Sequence, residues 1–310
     1  MTRGAEKTQT KKHNKIKSQD GIISTILIYA FIIIMLIVTI YPFLNVLALS
    51  FNDSADSMQG INMIWPRVWS LENYKRLMQF EAIPRAALNT VVRTITGTLT
   101  GLISAAILAY TLSRKDYVFR RFIGFMFVAT IYVSGGIIPW FLLIVNLRLN
   151  SSFFVYIIPG LISVWNVIII RSFIDNLPYE LQESAMLDGA GDFTIFIRII
   201  FPLCKPVIAT VSLWIAVGHW NDWFTTYIFH PSRPHLSTLQ YELMKVLDST
   251  NQNPAGLALR DANAAAQMRM VSPMSVRMAI TVVVIIPILM VYPFIQKYFV
   301  TGMTLGAVKS

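Results

Sequence analysis

The stretch from Gly21 to Phe51 carries no charged residue. It is longer than the roughly 20 apolar residues that a helix needs to cross a bilayer. It is also about twice the 7–15 residues of a signal-peptide core, which marks it as a retained transmembrane helix. Five further apolar stretches follow, so the predicted spans are 22–50, 88–112, 119–145, 153–172, 206–229 and 279–300. Composition agrees: 55% of the residues are hydrophobic and 14% are charged, against about a quarter charged in ordinary soluble domains. The expected fold class is an all-α membrane protein of six spans, with residues 1–20 as a basic tail and 21–310 as the membrane domain.

An even number of spans puts both termini on one side, and basic residues say which. The tail holds Arg3, Lys7, Lys11, Lys12, Lys15 and Lys17, and the short loop "SRKDYVFRR" holds Arg114, Lys115, Arg120 and Arg121. Both segments fall on the same side by parity, which the positive-inside rule makes the cytoplasm. Loop 173–205 then faces the cytoplasm as well, while 52–87, 146–152 and 230–278 face outward. The net charge of +10 follows this topology. It does not indicate nucleic-acid binding, which needs a basic face on a soluble module. Tyr41, Trp65, Trp69, Trp140 and Tyr292 stand near span ends and read as an interfacial aromatic belt. The one cysteine, Cys204, excludes a disulfide framework within the chain and reads as a small buried thiol.

The second span is rich in Thr and carries Gly97, Gly101, Ala105 and Ala109 at four-residue spacing. Small residues on one face let membrane helices approach closely, so this helix is expected inside a bundle. Arg93, near its outer end, either snorkels to the interface or faces a wet cavity.

The stretch "QESAMLDGAGDFTIFIRIIFPLCKP", Gln182 to Pro206, breaks the apolar pattern with acids, glycines and prolines. Asn176 is expected to cap a helix with Pro178 in its first turn. The acids Glu180 and Glu183 suit its positive N-terminal end. Gly189 is suited to the left-handed residue that closes a helix. Asp192 is expected to cap a second helix, Phe193 to Ile200, and Pro202 and Pro206 bound the entry to span five. Two short helices about a glycine elbow make a knob suited to docking a protein.

In order and spacing, Glu183-Ser184-Ala185, Asp188-Gly189-Ala190, Phe196, Ile199, Pro202 and Pro206 resemble the EAA loop of bacterial ABC-importer permeases. Ser184 replaces the usual middle Ala, and Phe201 stands where Leu commonly precedes the proline. "VGHWNDWF" (217–224), residues 176–190 and residues 292–310 are similar to carbohydrate-uptake permeases, including the second membrane subunit of the maltose transporter and the oligosaccharide subgroup. The resemblance implies a type I ABC-importer permease in the bacterial plasma membrane. It implies that the loop is a coupling helix docking in a cytoplasmic ATPase dimer, with Glu183 meeting a basic residue, Gly189 forming the elbow, and Ala185 and Ala190 packing closely. It further implies a second homologous permease as heterodimer partner, an extracellular solute-binding protein touching loop 230–278, and an oligosaccharide substrate.

No GxxxxGK[ST] phosphate loop is present. The chain is therefore expected to be no enzyme and to bind no cofactor, with ATP and Mg held by the partner ATPase. A metal site is not expected, since His230 and His235 lack acid or Cys ligands nearby in sequence. A secondary transporter would show inverted repeats and span acids, but Asp222 is the only acid within a span. A hydrolase would need a nucleophile near a base, and nothing pairs with His219. For the sugar path, aromatic faces and planar polar groups are sought, because sugar C–H faces are apolar and hydroxyls need partners. Trp214, His219, Trp220, Asn221 and Trp223 form the densest such group, unless they are belt and bundle core. Tyr132, beside Ser134, Gly135 and Gly136, and the charged Arg93 are lesser candidates; the glycines also suit a kink.

Overall fold

The computed structural model describes residues 20–57, 64–80, 82–251 and 273–307. The basic tail and the "RDANAAAQMR" segment lie outside them. Among the described residues the fold is helical, and the one extended pairing is an isolated antiparallel bridge between Asn52 and Trp69.

Two helices are long and apolar enough to cross a membrane unbroken: α1 (Asp20–Ser50) and α4 (Ala82–Ser113). Between them lie the short helices α2 (Ser54–Ser57) and α3 (Glu72–Gln79). Helix α1 exposes its apolar side chains from Ile26 to Val38 and packs chiefly against the last helix, α14 (Pro273–Ala307). In contrast, α4 sits at the centre, against five other helices. Its face Gly97, Gly101, Ala105 and Ala109 is buried, as the small-residue spacing predicts. Its hydroxyls turn back on the helix itself: Thr90, Thr96 and Thr100 donate to the carbonyls of Ala86, Val92 and Thr96 at 2.8, 2.7 and 2.8 Å. That meets part of the need of a Thr-rich helix; the Thr94 and Thr98 hydroxyls are buried with no partner among the described residues.

The sequence reads 119–145, 153–172 and 206–229 as continuous spans, and the structure interrupts all three. The first becomes α5 (Arg120–Tyr132) and α6 (Ile137–Asn146), bent by 118°. Gly136 makes the break possible, with φ +80, a conformation open to glycine at no steric cost. The second becomes a run of 3-10 turns over Phe153–Gly160 and then α7 (Val164–Asp175), bent by 45° across the break between Gly160 and Val164. The third becomes α11 (Lys205–Asn221) and α12 (Phe224–Phe229), parted at Asp222. Helix α13 (Leu239–Asn251) packs with α3 and α14 around Leu77, Leu239 and Ile280. Breaks of this kind are tolerated at membrane depth where protein, not lipid, surrounds them.

Candidate functional site

Loop 173–205 folds as two short arms. Helix α7 ends where the Asn176 carboxamide donates to the Ser172 carbonyl at 2.7 Å. Asn176 thus closes α7 rather than capping the helix that follows. That helix, α8 (Glu180–Leu187), begins after Tyr179 with Glu180 and Glu183 in its first turn. Gln182 and Ala185 are buried, while Glu183, Ser184, Leu187 and Asp188 are exposed. Leu187 is 89% exposed, an apolar side chain offered at the tip of a charged knob.

The elbow forms as the glycine predicts. Gly189 has φ +77. Its N–H donates to the Met186 carbonyl at 3.0 Å, and the Ala190 N–H donates to the Ala185 carbonyl at 2.9 Å. This pair of bonds is the Schellman closure of a helix. It brings Ala190 in against the core that buries Ala185. The second arm starts with α9 (Asp192–Ile195), passes through one π turn over Phe196–Ile200, and ends in α10 (Phe201–Leu203). Gly191 holds the cap position, so Asp192 is the first helical residue and not the cap. Phe196 packs between Tyr110, tilted against it, and Phe201, edge-on, with ring centroids at 5.2 and 5.8 Å. Pro202 starts α10, and an 82° bend leads into α11. Burial pushes the Cys204 thiol up to about 12, leaving it an inert hydrophobe.

What sequence reasoning missed is the mount. Arg114, directly after α4, is 8% exposed. Its guanidinium donates to the Gln182 side chain at 3.2 Å and pairs with the Asp192 carboxylate at 3.2 Å. One side chain from α4 therefore holds both arms of the loop, and Tyr110 reaches Asp192 at 3.4 Å from the turn before. In the sequence Arg114 counts only as one of several cytoplasmic charges; nothing there distinguishes it from Arg120.

The candidates in span five do not gather. Trp214 is exposed, Asn221 is exposed, and Trp223 meets Phe224 and Tyr227 edge-on, ring centroids 5.8 and 5.9 Å apart. Trp220 donates to the Val284 carbonyl at 3.0 Å and lines an apolar hollow beside α14. Tyr132 stands exposed at the end of α5. His219 and Arg93 do meet, in a pocket of ≈ 380 Å³ that also includes Trp140, Tyr156, Asn166 and Asp222.

Arg93 neither snorkels nor stands free. It is 2% exposed, ion-paired with Asp222, donating to the Asp222 carbonyl at 2.8 Å and lying 4.4 Å over the Tyr156 ring. Asp222 also accepts from the Thr225 hydroxyl and N–H at 2.6 and 3.0 Å. The break after α11 is thereby pinned to α4. Of the two alternatives its sequence position left open, Arg93 takes the cavity, where Asp222 neutralises its charge. His219 depends on Gly97, where an added Cβ would stand 2.3 Å from its imidazole. Nearby, His230 is buried beside Tyr156, ring centroids 5.4 Å apart, and burial holds its imidazole down at about 4. Among the described residues, no group of His, Cys, Asp and Glu is placed to hold a metal.

Comparison with known proteins places these features in a family. A family described as "Binding-protein-dependent transport system inner membrane component" matches residues 97–305. The polygalacturonan/rhamnogalacturonan transport system permease protein YtcP of Bacillus subtilis (strain 168) is 34% identical over 288 residues, covering 91% of this chain and 97% of that protein. Protein LplC of the same organism is 34% identical over 274 residues, covering 88% of this chain and 90% of that protein. Among solved structures, a chain of a bacterial ABC transporter involved in the import of the acidic polysaccharide alginate superposes with a TM-score of 0.81 at 29% identity, covering 91% of this chain and 98% of that one. This chain belongs to the family of binding-protein-dependent transport system inner membrane components, the permease subunits of ABC importers.

Proposed function

We propose that this chain is one of two permease subunits of an ATP-driven importer for oligosaccharides, and that it forms half of the translocation path. The chain crosses the membrane six times with both termini in the cytoplasm. Loop 173–205 docks in a cytoplasmic ATPase dimer, which holds ATP and Mg, and loop 230–278 meets an extracellular solute-binding protein. A second, homologous permease covers apolar faces left open here, such as that of α5. The names of similar proteins, which cite polygalacturonan and alginate, support a substrate containing uronate sugars.

The observation that carries this reading is the mount of α8. Exposed Glu183 and Leu187 stand on a helix whose buried Gln182 is tied to Arg114 at the end of α4, and the same guanidinium holds Asp192 of the second arm. A knob held this rigidly passes a push to the membrane helices instead of absorbing it, and rigid-body movement of packed elements is an established form of switching.

The test is purification of the tagged chain from its native membrane in mild detergent, with Leu187→Cys introduced for cross-linking. Recovery of a second permease and an ATPase, with the Cys cross-linking to the ATPase, is the expected result. A chain that purifies alone, under conditions that keep a known ABC importer whole, would refute the reading.

A further inference from the structure

The ≈ 380 Å³ pocket between α4, α6, α7 and α11 contains two kinds of polar group. The first kind is occupied, save for the Arg93 Nε, which is buried with no partner among the described residues. Arg93 and Asp222 neutralise each other, Thr225 donates to Asp222, and the Tyr156 hydroxyl donates to the Leu236 carbonyl at 2.7 Å. The second kind is not: the Asn166 carboxamide, the His219 imidazole and the Trp140 indole N–H line the same pocket and make no side-chain hydrogen bond among the described residues. Their polar atoms open onto the pocket, so their hydrogen-bonding capacity is free for water or a ligand there.

We infer that this pocket is a subsite for one hydroxylated sugar ring of the transported oligosaccharide, bound through Asn166, His219 and Trp140. The inference rests on the oligosaccharide reading above and deepens it. The volume lies in the range of small-molecule sites, about 300–1,000 Å³. The chemistry is that of a neutral polyol. A carboxamide and an imidazole each pair with hydroxyls as donor and acceptor, and Trp140 adds an indole donor beside an aromatic surface. A carboxylate is not what the pocket selects, because the cation in its wall, Arg93, is bound to Asp222 on one side and lies over Tyr156 on another. Ring hydroxyls of a uronate would therefore be read here, with its charge directed elsewhere. Gly97 is the positioning residue, since any side chain there would strike His219.

The experiment uses the complete importer in proteoliposomes with its binding protein, and follows uptake of tri-galacturonate and of its methyl ester. Asn166→Ala and His219→Ala should each raise KM about 5- to 10-fold, the loss expected of one hydrogen bond, with kcat less affected. The loss should be alike for acid and ester. His219→Gln, which keeps a planar polar group, should recover most of it, and Gly97→Ala should behave as His219→Ala does. Val118→Ala, exposed and outside the pocket, should leave KM unchanged. For direct occupancy, Asn166→Cys in a Cys204→Ser background should be alkylated by N-ethylmaleimide more slowly when tri-galacturonate is saturating. Wild-type KM in the Asn166 and His219 variants, a loss in kcat alone, or a loss confined to the free acid overturns the subsite while the importer reading stands. A wild-type complex that imports neither these probes nor maltotriose overturns both.

Discussion

Gly189 offers the sharpest test of how the loop works. Its φ of +77 lies in the left-handed region, where an L side chain costs about 1–2 kcal/mol. An added Cβ would meet nothing within 4 Å, so that cost is purely one of backbone conformation, with no packing clash added. The chain could escape it only by giving up the elbow. Doing so would lose the Gly189–Met186 and Ala190–Ala185 backbone bonds, each worth about 0.5–1.5 kcal/mol net, and would draw Ala190 off the core. The two routes cost much the same, so substitution leaves a mixture of elbow conformations. A shift of one to two kcal/mol changes such a ratio by a factor of about 5–30. Gly189→Asn should be mildest, because Asn visits this region most readily; Gly189→Ala should be intermediate and Gly189→Val worst. The assay is ATPase activity of the purified complex stimulated by loaded binding protein, with subunit recovery measured alongside. Stimulation should fall in that order while the complex still assembles. Equal stimulation in wild type and Gly189→Val would refute the reasoning.

Other consequences follow from single contacts. Arg114→Met removes the tie to both arms, so stimulated ATPase should drop by more than basal ATPase; a proportional fall in both would count against the mount. Arg93→Met leaves Asp222 without its cation and should destabilise the protein by about 3–5 kcal/mol, whereas Arg93→Met with Asp222→Asn should recover most of that; thermal melts of wild type and the two variants in detergent decide it. His230 is buried neutral, with its imidazole held at about 4 in the folded chain against roughly 6.5 unfolded. Below 6.5 the unfolded chain takes up a proton that the folded chain refuses, so stability should fall as pH drops from 6.5 to 4 and then level off. His230→Phe should lessen that fall relative to wild type; identical melting curves against pH would show that His230 plays no part.

The helical membrane class, the buried face of α4 and the Gly189 elbow were legible in the sequence because each rests on local chemistry. Hydropathy over twenty residues, a four-residue spacing and one residue free to take positive φ need no knowledge of neighbours. The caps were less legible. Asn176 and Asp192 both have cap chemistry, yet Asn176 closes the preceding helix and Asp192 pairs with Arg114, because a distant guanidinium competes for the same oxygen. The pocket was least legible. Trp214, Trp220, Asn221 and Trp223 neighbour His219 in sequence but take different faces of α11 or follow its break, while Trp140 and Asn166 arrive from α6 and α7.

By itself, then, the sequence determined where this chain is apolar enough to enter a membrane and where it must turn. Only the tertiary structure decided which side chains meet. Arg93 with Asp222 and Arg114 with Gln182 and Asp192 are joined across 129, 68 and 78 residues of chain. Such pairings depend on helix rotation and bend angle, and no local propensity encodes either.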